Sequence, residues 1–186
     1  MPEDVEWAVV FQDEGVFGLR TEIAKVLTLS GVRPVVKASQ RFGAFKIYAS
    51  VNPETGCKSM MRAEHCNIKT FNRHLRQLSR RYKGKKVLLV MDRAGWHTSP
   101  KVKKPENVEF AYLPPYCPEL NPVENVWKEM KKGNKNTRFE TLEDLAGSLV
   151  SWTHRRCTEN IKSVSGYNWI MNVIDEVRTL HWIGYL

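Results

Sequence analysis

Three carboxylates in this sequence stand where predicted elements end or begin. Asp13 follows the apolar run Trp7–Gln12, and Asp92 follows a second run, Val87–Met91. Both runs are short and rich in valine, which is typical of buried strands. Glu124 falls in the first turn of a basic predicted helix. Such oxygen ligands suit Mg²⁺, and two ions about 4 Å apart can activate a water and stabilise the leaving oxygen of a phosphodiester.

The same positions also have purely structural uses. Asp at a strand end serves turns, Glu at a helix start serves capping, and exposure is the expected state of Glu14 beside Asp13. The approach to Glu124 favours a functional use. Prolines stiffen the segment 114–122, because each proline fixes its own φ and restricts the preceding residue. Asn121 is predicted to cap the helix, with Pro122 first and Glu124 third in it.

The elements between Asp13 and Asp92 predict how these two residues meet. An alternating strand over Gly43–Val51, a turn at Asn52–Gly56 and a returning strand over Cys57–Met61 indicate an antiparallel meander. Apolar residues at helical spacing predict a helix from about Lys69 to Tyr82. A strand–helix–strand unit makes the first and fourth strands parallel neighbours, so their carboxyl ends share one sheet edge.

The remaining elements complete one α/β domain, for which 186 residues are sufficient. Further predicted elements are a turn at Asp13–Gly15, a short strand at Val35–Lys37, a fifth strand near Glu109–Leu113, a helix continuing from Glu124 to about Lys132, a helix capped by Thr141 with Asp144 and ending near Arg156, and a last helix from about Tyr167 to Leu180.

The formal net charge of +9 indicates a polyanionic partner, with nucleic acid favoured over an acidic membrane surface. The basic residues nearest the carboxylates are candidates for contacts with the DNA backbone, although a solvated surface is the alternative for each. His97 is also a candidate for a structural hydrogen bond to a loop carbonyl. The DNA-binding candidates are Arg93, His97, Lys101, Lys103, Lys104, Lys128, Lys131, Lys132, Lys135 and Arg138.

Other features narrow the class of protein. The apolar runs are too short to span a bilayer, and the acidic start MPEDVEW lacks the apolar core of a signal peptide. These observations predict a cytosolic protein, or a nuclear one in a eukaryote, with no membrane partner. The four cysteines, at positions 57, 66, 117 and 157, show no CxxC spacing and are predicted to be reduced structural thiols. Trp96 and Trp127 are predicted to pack in the interior.

Three sequence motifs together resemble the catalytic domain of DDE transposases in the insertion-sequence-630/mariner superfamily. They are Phe11-Gln12-Asp13-Glu14 with Phe17-Gly18, then Asp92-Arg93-Ala94-Gly95-Trp96-His97, then LPPYCPELNPVE ending at Glu124 and followed by Trp127. Their order matches the family, as do the 31 residues between Asp92 and Glu124. The resemblance covers about Trp7 to Lys132, and its third motif is the most specific.

The resemblance implies an RNase H-like fold: a mixed five-stranded sheet, its first three strands antiparallel and the rest parallel, flanked by helices. It implies that Asp13, Asp92 and Glu124 are the catalytic triad and hold two Mg²⁺ or Mn²⁺ ions. The implied activity is cutting and joining of transposon DNA ends. The implied partners are double-stranded DNA with a TA target and a second copy of the chain. In a prokaryote the protein would be cytoplasmic and associated with the nucleoid.

Some positions depart from the family pattern. Gly15 stands where Ala is expected, Val16 where Arg is, and Cys117 where Ser is. Arg93 replaces the usual Asn or Gly beside the second Asp. This arginine either clamps a phosphate or pairs with a neighbouring carboxylate and weakens metal binding.

Residues 1–186 are expected to be one catalytic domain without the N-terminal helix-turn-helix domains that the family normally carries. An isolated domain, one product of a split reading frame and a truncated remnant are all compatible with this expectation. A nuclease or resolvase that does not transfer strands, and an inactive DNA-binding remnant, are the alternative functions.

Overall fold

The computed structural model describes residues 6–156 and 158–182, which form a mixed five-stranded sheet. Strand order is β3-β2-β1-β4-β5, with antiparallel pairs among the first three and parallel pairs from β1 to β4 and from β4 to β5. The predicted sheet is therefore confirmed. The strands are β1 (Trp7–Gly18), β2 (Ala44–Val51), β3 (Lys58–Ala63), β4 (Lys86–Met91) and β5 (Val108–Tyr112).

Helices cover both faces of the sheet. They are α1 (Ile68–Arg81), α2 (Val123–Lys132), α3 (Leu142–Arg155), α4 (Thr158–Ser165) and α5 (Asn168–Trp182). Helix α1 packs on one face and α2 to α5 pack on the other. Because side chains alternate along a strand, β1 sends Val9 and Phe11 towards α2 and sends Ala8 and Val10 towards α1.

Local hydrogen bonds define several element ends that the sequence predicted. The Thr141 hydroxyl accepts from the backbone N–H of Asp144, and the Asp144 carboxylate accepts from the backbone N–H of Thr141, which is a complete capping box for α3. In the predicted turn between β2 and β3, the Asn52 side chain accepts from two backbone N–H groups. Gly56 ends that turn at φ +68°, and a Cβ there would lie 2.0 Å from the Thr158 carbonyl oxygen.

Strand β1 is longer than predicted, and the predicted turn at Asp13–Gly15 is wrong. Pairing with β2 from Phe11 to Gly18 carries the strand beyond its parallel pairing with β4, which ends at Phe11. Gly15 serves packing instead of a turn. A Cβ on Gly15 would lie 2.9 Å from a Phe17 ring carbon and 3.0 Å from the Trp127 indole. The missing side chain thus lets the indole lie against the strand.

One other prediction differs from the structure, and one helix was not predicted. The expected strand at Val35–Lys37 is wrong, because residues 19–43 form no strand and Val35 is 93% exposed. A strand needs a hydrogen-bonded neighbour, and β1 and β2 already pair directly. The last predicted helix is preceded by a separate one, α4.

The described cysteines are free thiols, as predicted: Cys57, Cys66 and Cys117 form no disulfide, while Cys157 lies outside the described residues. Within the described part of the chain, no helix is long and apolar enough to cross a membrane.

Gly15→Val is expected to lower the free energy of unfolding by about 1–3 kcal/mol, because the added methyl groups would displace the Trp127 indole from its packed position. Chemical denaturation of both proteins measures the difference. Val16→Ala is the matched control, since Val16 is 47% exposed in the same strand and its truncation is expected to change stability by no more than about 0.5 kcal/mol. Equal stability losses in the two variants would contradict the packing role of Gly15.

Candidate active site

The parallel pairing of β1 with β4 brings the backbone segments that lead to the first two carboxylates next to each other. The register aligns Val10 with Leu89 and Phe11 with Val90. Two residues further along each chain, the same offset aligns Asp13 with Asp92. Neighbouring strands lie about 4.8 Å apart, so the backbones carrying these carboxylates are close. That the two carboxylates meet stays a prediction, and Asp13 lies within its strand and not at the strand end.

Asp13 lies on the α2 face of the sheet and is held by Trp127. The indole Nε1 donates to Asp13 Oδ2 at 2.8 Å, and the indole is only 4% exposed. Burial is the main cause that raises the pKa of Asp13 to about 7, and the negative charges of Glu124 and Glu14 raise it further. The hydrogen bonds from Trp127 and the Glu14 backbone oppose this rise. Asp13 and Glu124 are thus close enough to repel each other.

Glu124 reaches this edge because the segment before α2 is fastened to β1. The buried Asn121 side chain donates from Nδ2 to the Gln12 carbonyl oxygen at 2.9 Å and accepts from the Val123 backbone N–H at 3.2 Å. Pro122, not Asn121, is the capping residue, and Glu124 is second in the helix, because a short 3-10 turn over Pro118–Leu120 precedes it. Among the described residues, no hydrogen-bond or ion-pair partner of the Glu124 carboxylate is found.

Asp92 turns its carboxylate towards the loop that follows β4. Its Oδ1 accepts from the Ala94 backbone N–H at 3.0 Å and lies 2.7 Å from His97 Nδ1. His97 Nδ1 also lies 3.2 Å from the Asp92 carbonyl oxygen. This is a contact of the kind predicted from the sequence, a hydrogen bond between His97 and a backbone carbonyl. The Asp92 side chain is 60% exposed. Its carboxylate is therefore oriented by protein groups and still open to a ligand.

A buried histidine joins Asp92 to Glu14 on the other face of the sheet. The His97 side chain is 1% exposed, with Nε2 3.0 Å from Glu14 Oε1. Glu14 also accepts from Gln12 Nε2 at 3.1 Å and from Trp96 Nε1 at 3.2 Å. Burial lowers the pKa of His97, but the hydrogen bond that the ring donates to Glu14 and the charges of Glu14 and Asp92 outweigh it and raise the pKa.

The expectation that Glu14 is exposed is wrong, since 9% of its side chain is exposed. Adjacent residues in a strand point to opposite faces, so the α2 face receives Asp13 while the α1 face receives Glu14. The buried position of His97 places it to orient Asp92 and not to contact DNA directly.

The chemistry of the donor set fits a divalent metal, although the side chains are not gathered around one point. Within residues 6–156 and 158–182, no group of three or more His, Cys, Asp or Glu side chains is arranged to hold a metal ion. The contacts of Asp92 with Ala94 and His97 explain this arrangement. Three carboxylates on one edge nevertheless supply the hard oxygen ligands that Mg²⁺ and Mn²⁺ prefer, and the raised pKa of Asp13 marks a place where a cation would relieve repulsion.

The candidate DNA-binding side chains lie in varied environments. Arg93 is exposed and lies over the Tyr112 ring at 5.1 Å, and it has no ion pair with a described carboxylate. Ion pairs engage three of the others, Lys104 with Glu109, Lys132 with Glu129 and Arg138 with Glu140. Lys128 donates to Asn125, and Lys131 lies over the Phe17 ring. Lys101, Lys103 and Lys135 are exposed.

Sequence reasoning missed the residues that hold the carboxylates. Trp127 was predicted to pack, which is confirmed, but its hydrogen bond to Asp13 was not foreseen. The signal was present, because Trp127 follows Glu124 by three residues and so shares its helix face. Asn121 was assigned to capping alone. No local pattern reveals its bond to Gln12, since 109 residues separate the two.

Comparisons with known proteins agree with this geometry. The sequence model of the family described as DDE superfamily endonuclease matches residues 8–146. The uncharacterized protein y4pE/y4sA of Sinorhizobium fredii (strain NBRC 101917 / NGR234) is 37% identical over 101 residues, which are 53% of this chain and 75% of that protein.

Solved structures of the Mos1 transposase share the fold. Its paired-end complex with the left transposon end has a TM-score of 0.66 at 17% identity, covering 86% of this chain and 51% of that chain. The Mos1 mariner paired-end complex with Mn has the same TM-score at 18% identity, covering 86% and 52%. The chain thus spans about half the length of these transposase chains. With the family match, this likeness confirms the RNase H-like fold, and the chain belongs to the DDE superfamily of endonucleases.

Proposed function

We propose that this chain is the catalytic domain of a transposase that cuts and joins the ends of a DNA element. The observation that carries the proposal is that β1, β4 and the start of α2, which bear Asp13, Asp92 and Glu124, lie next to one another. The parallel β1–β4 pairing ends two residues before Asp13 and Asp92, and the charge of Glu124 acts on Asp13. Three carboxylates from separate segments are the ligand set that metal-dependent phosphoryl transfer requires.

Asp13, Asp92 and Glu124 would hold two Mg²⁺ or Mn²⁺ ions. When bound, such ions supply activation of the attacking oxygen and stabilisation of the leaving oxygen. The chain itself positions the ligands: Trp127 and Asn121 set Asp13 and the start of α2, while His97 sets Asp92. Ligands fixed by buried partners keep their geometry while the substrate moves through the two reactions.

Two phosphoryl transfers follow from this arrangement. Water first displaces a 3′-oxygen at the end of the element and leaves a free 3′-hydroxyl. That hydroxyl then attacks a phosphodiester of the target, forming a new bond and releasing the target's own 3′-hydroxyl. Positioning and charge neutralisation dominate such reactions.

Double-stranded DNA is the proposed substrate, with a TA target and a dimer of the chain in the DNA complex. The net charge of +9 and the exposed Lys101, Lys103 and Lys135 near or beyond the carboxylates support a DNA partner. The TA target and the dimer rest on the superfamily resemblance, and the related Mos1 structures hold transposon ends in paired-end complexes.

Wild-type protein is expected to join a pre-cut duplex, ending at the boundary of its own DNA element, to a TA-containing plasmid when Mg²⁺ is present. Asp92→Asn is expected to reduce joining by more than the 10–100-fold typical for loss of an outer hydrogen-bond partner, since it removes a ligand. Gel analysis of the labelled end measures both products. Glu106→Gln is the control, because Glu106 is an exposed carboxylate.

Three outcomes of this assay separate the candidate functions. Mg²⁺-dependent hydrolysis without a joined product would replace the transposase with a nuclease. An inactive DNA-binding remnant would show neither hydrolysis nor joining. Its Mn²⁺ binding would be the same in wild type and in Asp92→Asn. Joining by wild type and its loss in Asp92→Asn support the proposal.

Asp13→Asn is expected to stabilise the metal-free protein at neutral pH. The folded chain holds the Asp13 proton more tightly than the unfolded chain, so its contribution to the free energy of unfolding falls as pH rises from 3.8 to about 7. An asparagine side chain does not titrate, so its contribution to the free energy of unfolding does not fall over this pH range. Its amide oxygen still accepts a hydrogen bond from Trp127. The variant should exceed wild type by about 1–3 kcal/mol at pH 8 and by little at pH 4.

Thermal unfolding in EDTA and in Mn²⁺ measures this prediction. Mn²⁺ is expected to raise the melting temperature of wild type more than that of Asp13→Asn, because the carboxylate is a ligand. A pH-independent difference between the proteins, or equal stabilisation by Mn²⁺, would contradict the placement of Asp13 in a metal site.

Glu14→Gln is expected to weaken Mn²⁺ binding by about tenfold, because Glu14 orients His97 and through it Asp92. The neutral amide is a weaker acceptor than the carboxylate, so it holds the His97 ring less firmly, while its oxygen still accepts from Trp96 and the fold is retained. Electron paramagnetic resonance of free Mn²⁺ gives the dissociation constant, with Glu106→Gln again as control. Unchanged Mn²⁺ affinity in Glu14→Gln would contradict the claim that Glu14 and His97 orient Asp92 for metal binding.

A further inference from the structure

An arginine-lined groove lies outside the candidate active site, between α1 and the edge strand β3. Its volume is about 680 Å³. Four of its lining residues are the exposed arginines of α1, and Ser59 and Met61 of β3 together with Gln77 supply the rest. The arginines are Arg73, Arg76, Arg80 and Arg81. We propose that this arginine groove binds the phosphate backbone of duplex DNA that enters or leaves the catalytic edge.

The helix that carries the groove has an unbalanced charge. Residues 68–81 include five Lys or Arg and no Asp or Glu. Arginines three and four positions apart repel each other on a helix surface, so this pattern weakens the isolated helix. None of the four arginines forms an ion pair with a described carboxylate. The positive charge is therefore left available to an external anion.

Contacts with β3 hold two of the guanidinium groups in place. Arg73 donates from Nη2 to the Arg62 carbonyl oxygen at 3.0 Å and from Nε to Met61 Sδ at 3.1 Å. Arg81 donates from Nε to Cys57 Sγ at 2.9 Å. Guanidinium groups that are positioned in advance lose less entropy when they bind phosphate, and their planar N–H groups match its oxygens.

The position of α1 connects the groove to the catalytic edge. Asn72, in the first turns of α1, accepts from the Lys103 backbone N–H at 2.7 Å and donates to the Lys101 carbonyl oxygen at 3.3 Å. These lysines belong to the loop that follows Asp92. From there α1 extends about 14 Å to Arg81, which is the length of about four base pairs. DNA held at the carboxylates could thus continue along the arginines.

Duplex DNA fits this groove better than an acidic protein segment does. The arginines recur over two turns of a rigid helix, which suits a regular array of phosphates, and the family acts on nucleic acid. The inference rests on the proposed function for the identity of the polymer, but phosphate binding requires no catalysis.

The test is the salt dependence of duplex binding in EDTA, where no cutting occurs. The test variant is Arg76→Glu/Arg80→Glu, since neither side chain has a hydrogen bond or ion pair with a described residue. Arg33→Glu/Lys37→Glu makes the same change in net charge at exposed positions of the loop 19–43. Fluorescence anisotropy with a 30-base-pair labelled duplex, which is several times longer than α1, gives the dissociation constant at each salt concentration.

The groove variant is expected to bind at least about tenfold more weakly than wild type near 100 mM salt, and its log–log salt slope should shrink by about 2. The control variant should change each value much less. The melting temperature separates binding from folding, because Arg76→Glu alone places a carboxylate four residues before Arg80. That single variant should keep or raise the melting temperature while weakening binding.

Equal affinity and equal salt slope in groove and control variants would overturn the proposal and leave an acidic protein segment as the occupant to pursue. Loss of binding in the groove variant, with a wild type that never cuts DNA in Mg²⁺, would overturn the proposed function and keep the groove. Normal cutting by wild type, with unimpaired binding in the groove variant, would support the proposed function and overturn the groove.

Discussion

The parallel pairing of β1 with β4 is the constraint on which the candidate site depends. Its register aligns Asp13 with Asp92 without any contribution from side chains. A shift by one residue would send Asp13 to the α1 face, because side chains alternate along a strand. The pairing of β1 with β2 beyond Phe11 keeps the chain extended through Asp13 and so holds that register. Sheet hydrogen bonds therefore determine where the carboxylates stand.

The electrostatic environment of Asp13 lowers the stability of the folded chain. Burial raises the pKa of Asp13, and Glu124 adds repulsion on the same face. A chain selected for stability alone would have an amide or an apolar side chain at position 13. The structure instead supports the charge with an indole donor, and the buried Asn121 fixes the start of α2 against the same strand.

Local patterns predicted the elements whose signals are local. The helical period of α1, the capping box of α3 and the turn at Asn52–Gly56 all follow from neighbouring residues. The length of β1 does not, because β2 determines it from 26 to 40 residues away along the chain. The absence of a strand at Val35–Lys37 is likewise not a local matter, because a strand needs a hydrogen-bonded neighbour and this exposed segment pairs with none. Sequence periodicity cannot report which partners are available.

The residues of the candidate site also fall into those that the sequence predicts and those that it does not. The acidic residues were predicted from strand ends and from motif resemblance, and the β1–β4 pairing brings the backbone segments that lead to the first two next to each other. Their supports were not predicted, because Trp127 and Asn121 reach β1 across more than a hundred residues of sequence. Glu14 illustrates the physical limit. Only after β1 is known to continue past Asp13 does strand alternation place Glu14 on the buried α1 face, within reach of His97.

Arg93, the main departure from the family pattern, takes its meaning from this arrangement. An arginine beside a metal ligand would compete with the metal if it paired with that ligand. Here the Asp92 carboxylate is oriented by Ala94 and His97, and the Arg93 guanidinium lies over the Tyr112 ring. Stacking on an aromatic face holds an arginine without neutralising it. Its charge consequently stays exposed beside the carboxylates, where a phosphate is a better partner for it than Asp92.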